Sequence, residues 1–220
     1  MTTSRRPYLL ISAPALAALL ALSSCTAPGE AGDGSSAQSA TAGGVRVPGG
    51  AEAQAGSGNA VTILTAAGLG ELGSAPAETV VEALEAIPVN ERPDGLSASV
   101  TAGAVRLSGA DGAEASLPLD RFYLSVAPFI TTTHECTFHA PVGCKGELAS
   151  TEARFTITDT SSGEVLASGM RRTASNGFAG FWLPTDRAVT VSVEAAGKSG
   201  SVTTGTGPND PTCLTTLRLG

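Results

Sequence analysis

From Leu96 to the C-terminus the apolar residues recur at every second position, in ten short runs separated by turn residues, and that periodicity restricts the chain to a sheet-built fold. The runs cover residues 97–100, 104–108, 114–119, 122–130, 153–158, 164–170, 177–183, 189–195, 199–204 and 213–219. Between them stand Ala102-Gly103, Asp111-Gly112, Ser162-Gly163, Asn176-Gly177 and Gly197, which supply the positive φ angles that tight turns need. Upstream the period is helical. Residues 61–69 and 77–87 have helix-like content, the second with Val80, Val81, Leu84 and Ile87 on one face, Ser74, Pro76 and Glu78 as a start and Pro88 as a stop. The expected fold class is therefore α+β, mainly β. A small N-terminal α+β part, 59–119, precedes a larger antiparallel sheet or sandwich, 120–220, which holds every aromatic residue after Tyr8.

The first 58 residues read as an address and a tether. Arg5 and Arg6 lead into an apolar stretch and then into Leu22-Ser23-Ser24-Cys25, the order of a signal peptide (1–24) ending in a bacterial lipobox whose Cys25 would carry the lipid. The apolar stretch is shorter than a spanning helix requires and contains Pro14. The two arginines also fit a twin-arginine signal, so the export route stays open. Residues 26–58 contain nine Gly, eight Ala and four Ser without periodicity, a composition expected to form a disordered linker. The expected location is extracytoplasmic and membrane-anchored. A net charge of −7, or −9 once residues 1–24 and their two arginines are removed, excludes a nucleic-acid binder.

Gly68-Leu69-Gly70-Glu71-Leu72-Gly73 satisfies a dinucleotide-binding pattern, but Ser74-Ala75-Pro76 restarts a helix where the third glycine should lie inside one. A glycine helix stop explains it better. No nucleophile elbow, zincin or P-loop string is present, and no catalytic residue is assigned.

Chemistry concentrates elsewhere. Both histidines lie in His134-Glu135-Cys136-Thr137-Phe138-His139, Cys144 follows five residues later, and Cys213 stands in the last run. On an extended segment His134 and Cys136 share a face, and Ala140-Pro141-Val142-Gly143 can turn Cys144 back toward Cys136. With Cys25 lipidated, three thiols remain, and three cannot all pair. Two readings follow: one disulfide stapling an adhesion or scaffold domain beside an idle thiol, or three reduced thiols serving a metal or a redox cycle. Soft donors favour Cu(I) or zinc over calcium and magnesium. Two thiols can also deliver two electrons to two Cu(II) as they close a disulfide.

At these residues the sequence resembles the CueP family of periplasmic copper-binding proteins. The resemblance runs from about residue 62 to 219. It rests on Leu84-Glu85-Ala86-Ile87-Pro88-Val89-Asn90-Glu91-Arg92-Pro93, Asp120-Arg121-Phe122-Tyr123-Leu124-Ser125-Val126-Ala127-Pro128-Phe129, and Thr133-His134-Glu135-Cys136 with His139 and Cys144-Lys145-Gly146-Glu147-Leu148. Asn176-Gly177-Phe178, Trp182-Leu183-Pro184 and Pro211-Thr212-Cys213-Leu214 complete it. It implies copper held by Cys136, Cys144 and Cys213, with His134 and His139 beside them, and Cu(II) reduction by the thiols. It further implies delivery to an exported copper/zinc superoxide dismutase, exchange with a thiol-disulfide oxidoreductase, and a homodimer through the N-terminal part. A structural zinc site is the alternative metal reading. The lipobox and linker lie outside the family pattern.

Overall fold

The computed structural model describes residues 49–220. The expected signal peptide, Cys25 and most of the expected tether lie outside the described residues. The helix α1, Gly49–Ala66, begins within the stretch expected to be linker. It ends where Gly68 takes φ +78° and Gly68 and Leu69 donate to the carbonyls of Thr65 and Leu64, a Schellman stop. Val61 to Leu64 lies inside this helix, in keeping with the helix-like content of residues 61–69, and Gly70–Ser74 forms a short 3₁₀ turn. Ser74 caps nothing; the helix α2, Ala77–Ala86, starts after Pro76 without a side-chain cap. Val80, Val81 and Leu84 on its inner face are fully buried, each contributing about 1.5–3 kcal/mol. Among the described residues no helix is long and apolar enough to cross a membrane.

The strands follow the period-two runs closely: β1 Ser97–Val100, β2 Ala104–Ser108, β3 Glu114–Pro118, β4 Phe122–Val126, β5 Glu152–Asp159, β6 Val165–Arg172, β7 Ala179–Leu183, β8 Ala188–Ala195, β9 Lys198–Gly205 and β10 Cys213–Leu214. They form three sheets, ordered β1-β2-β3, β10-β4-β7 and β6-β5-β8-β9. The β8–β9 hairpin turns on Ala196 and Gly197, both at positive φ, as a two-residue loop demands. Three expectations are corrected. The last run is a strand only over two residues, and β10 pairs parallel to β4 rather than antiparallel. The 122–130 run stops at Val126, because Pro128 has no N–H to give a ladder.

Two cores meet at β4, whose five residues are all buried. Phe122, Leu124 and Val126 face the four-stranded sheet and pack with Phe155, Ile157, Phe181 and Val191. Tyr123, on the opposite face, packs with Leu64, Val80, Leu84, Val100 and Val105 under the helices and the first sheet. A third, small cluster of Ala127, Phe178 and Cys213, with Cys136 and Cys144 against it, marks the seam where the candidate site lies.

Candidate metal centre

The site is built from the long loop between β4 and β5 and from the N-terminal end of β10. Residues 131–138 have no regular structure, because their backbone groups serve as anchors instead. The Glu147 carboxylate accepts from the N–H groups of Ile130, Thr131 and Thr132 at 2.7, 2.9 and 3.2 Å. Thr133 Oγ1 donates to the Thr215 carbonyl at 2.6 Å, and the N–H groups of Thr212 and Cys213 donate to the Thr137 carbonyl. These bonds lay the His134–Cys136 stretch against β10. After it, Gly143 N and Cys144 N donate to the Ala140 carbonyl, and the turn brings the Sγ atoms of Cys136 and Cys144 to 3.6 Å.

His134, Cys136, Cys144 and Cys213 each offer a donor atom, all within 4.8 Å of one another. Donors at about 2.3 Å from a tetrahedral ion stand about 3.8 Å apart, so the four fit one soft metal with small adjustment. Cys213 is 2% exposed, and Cys136 and Cys144 are half-buried. The Cys144 thiol is driven down, foremost by the hydrogen bond from Cys213 and then by His139 and the Ala140 N–H. Cys213, as the donor to Cys144, is driven up. Burial raises Cys136. Of the three sulfurs, Cys144 is thus the one whose surroundings favour the thiolate.

His139 stands outside that group of four. It is fully buried, its Nδ1 3.8 Å from Cys213 Sγ and its Nε2 2.5 Å from Glu85 Oε2, with the Phe178 ring 4.7 Å away. Burial opposes its charge, but hydrogen bonds with Cys144 and Glu85 outweigh it and hold the pKa up to about 9. Asn176 Nδ2 donates to Glu85 Oε1 at 2.7 Å, while the Asn176 carbonyl accepts from Gly146 N. Gly177, at φ +83°, crosses so close to Gly146 that a Cβ there would meet its carbonyl oxygen, which fixes glycine at the crossing. Arg92, just after the 3₁₀ turn Val89–Glu91, donates to the carbonyls of Pro141 and Cys144 at 2.8 and 3.2 Å.

Glu85 and Arg92 carried no role in the residue-by-residue reading. The signal for Glu85 was present: a carboxylate adjoining Val80, Val81 and Leu84 on the apolar face of α2 needs a buried partner. Arg92 gave none, since its partners are backbone carbonyls 49 and 52 residues away.

The profile of the family described as periplasmic copper-binding protein CueP matches residues 79–218. This chain belongs to the CueP family. The crystal structure of S.CueP aligns with it at a TM-score of 0.66 and 34% identity, covering 73% of this chain and 96% of that one. No curated protein matches. A copper-binding family and a cluster of three thiols and an imidazole agree on the chemistry, since both call for a soft metal.

The anchoring of the CueP-family loop is pH-dependent. Glu147 sits below the usual carboxylate range because the N–H groups of Thr131, Ile130 and Thr132 favour its charged form. Its contribution is present above the unfolded value of 4.5 and is lost as pH falls through the lower folded value. The difference in urea midpoint between wild type and Glu147→Gln is expected to be full at neutral pH and to shrink as pH falls below 4.5. A difference that grows on acidification would contradict this anchoring.

Proposed function

We propose that the protein is an extracytoplasmic copper carrier, anchored through Cys25, that holds Cu(I) on Cys136, Cys144 and Cys213 with His134 as the fourth donor. The observation that carries this reading is the convergence of those four donor atoms within 4.8 Å. The His139–Glu85 pair supports the cluster from behind, its imidazolium lying beside the Cys144 sulfur and favouring the thiolate there. Zinc would satisfy the same geometry, but the family description and three sulfurs favour Cu(I).

The same thiols serve as reductant. Cys136 and Cys144, at 3.6 Å, close a disulfide by losing two electrons and the one proton that Cys136 carries, and two Cu(II) become two Cu(I). Cys213 and His134 then remain as donors for the product ion. The family resemblance supports handing copper to an exported copper/zinc superoxide dismutase, re-reduction by a thiol-disulfide oxidoreductase, and pairing of two chains through their N-terminal parts. The deciding experiment is anaerobic addition of Cu(II) to the reduced protein with thiols and Cu(I) counted together. Two thiols are expected to disappear for every two Cu(I) formed. Unchanged thiols would remove the reductase step, and failure to retain Cu(I) against a competing chelator would remove the copper site itself.

A further inference from the structure

A cavity of about 590 Å³ opens on the far side of Glu85 and Phe178 from the thiols, between α2, β6 and β7. Its floor is the edge of β7 that no other described strand pairs. Ser125 N donates to Thr212 on the β10 side, so the peptide groups of Ser125 face away from β7. By the alternation of an antiparallel ladder, Gly180 opposite Ser125, and Trp182 opposite Tyr123, turn their own N–H and C=O groups outward into the cleft. β6, the other wall, is also an edge strand.

The two outward carbonyls are occupied by guanidinium groups. Arg171 Nη1 donates to Gly180 O at 2.8 Å, with its guanidinium 4.5 Å over the Phe181 ring, and Arg121 Nη2 donates to Trp182 O at 2.7 Å. Each bond uses one of the five N–H donors of an arginine and fixes the rest at the mouth of the cleft, beside Arg172, which pairs with Glu152 at 3.5 Å. Tyr123, 3% exposed, places its hydroxyl directly over Gly180, in the space a Cβ would fill. Burial, and then the Glu85 and Glu82 carboxylates, keep that phenol protonated and therefore a donor. The two carboxylates in the wall are already engaged, Glu82 with Trp182 Nε1 at 2.8 Å and Glu85 with His139 and Asn176. What the cleft offers is thus a surplus of donors, on guanidinium and strand-edge N–H groups, flanked by aromatic rings.

The complement of such a surface is an extended backbone with carbonyls to give and carboxylates to place. We propose that the cleft binds an acidic peptide segment that adds to the free edge of β7, its carbonyls on the N–H groups of Gly180 and Trp182 and its carboxylates on Arg121 and Arg171. Three extended residues span about 10 Å, a length suited to an edge strand of five residues. The proposal is independent of the copper reading, because no thiol takes part.

The chain has one tryptophan, Trp182, and it lines the cleft, so its emission reports occupancy. The full chain, reduced and copper-free, is titrated with the terminally blocked pentapeptide Val-Glu-Val-Glu-Val and with its Gln-for-Glu counterpart. The acidic peptide is expected to give a saturable change in emission and a binding heat. Arg171→Gln and Arg121→Gln, both at exposed positions, are expected to weaken it by about tenfold each, as loss of a charge-assisted bond implies. The absence of any saturable signal with the acidic peptide would overturn the proposal. So would equal binding of the Gln peptide, or variants that bind as tightly as wild type.

Discussion

Cys144→Ser in the reduced protein is expected to lower Cu(I) affinity by at least about 100-fold, since removal of mere outer-shell partners already costs 10–100-fold at metal sites. Cys144 is the sulfur most prepared for a metal. It accepts from the Ala140 N–H at 3.4 Å, lies beside His139 and Cys213, and is held as thiolate by both. Serine matches its size but presents a hard, protonated oxygen to a soft ion. The same variant removes one half of the 3.6 Å sulfur pair, so thiol loss on Cu(II) addition should stop along with the appearance of Cu(I). A competition titration against a Cu(I) chelator reads the first effect and thiol counting the second. Cys25→Ser, far outside the site in sequence, should leave both unchanged. Wild-type affinity in Cys144→Ser would mean that copper is held elsewhere.

Glu85→Ala should be the most destabilising substitution outside the two main cores. It strips the fully buried His139 of its carboxylate partner and Asn176 of its acceptor, leaving the imidazolium with only Cys144 to offset its charge. Breaking a buried pair from one side costs about 3–5 kcal/mol, which for a domain of this size is a fall in melting temperature of about 6–20 °C. The effect has a pH signature. The folded-state pKa of His139, about 9, is above its ordinary 6.5, so the pair contributes fully below about pH 6.5 and its contribution is lost as pH rises through 9. The stability gap between wild type and Glu85→Ala, read from urea unfolding of the metal-free protein, should therefore narrow from pH 6 toward pH 10. A gap independent of pH would assign the cost to lost packing alone.

Much of the fold could be read from the chain because alternation is a local property. Ser97–Val100, Ala104–Ser108 and Lys198–Gly205 emerge near their expected limits, since each side chain's burial is decided by the pleat on which it sits. The parallel pairing of β10 with β4 was not legible. It joins residues 88 positions apart, and two-residue strands carry no period to detect. Likewise the spacing of His134 and Cys136 and the turn at Ala140–Gly143 pointed to a shared centre with Cys144, while the place of Cys213 depended on where the last segment docks.

The sequence by itself determined a mainly β chain with three thiols and two histidines after Cys25, of a soft-metal character set by the donor atoms. Only the tertiary structure separated the two histidines. His134 joins the sulfurs, whereas His139, five residues on, is turned by the Val100 and Thr212 hydrogen bonds into the seam where Glu85 of α2 waits. The physical reason is range. Donor softness and strand period belong to single residues and near neighbours, whereas the partner of a buried imidazole, 54 positions away, is fixed by how two cores close on one strand.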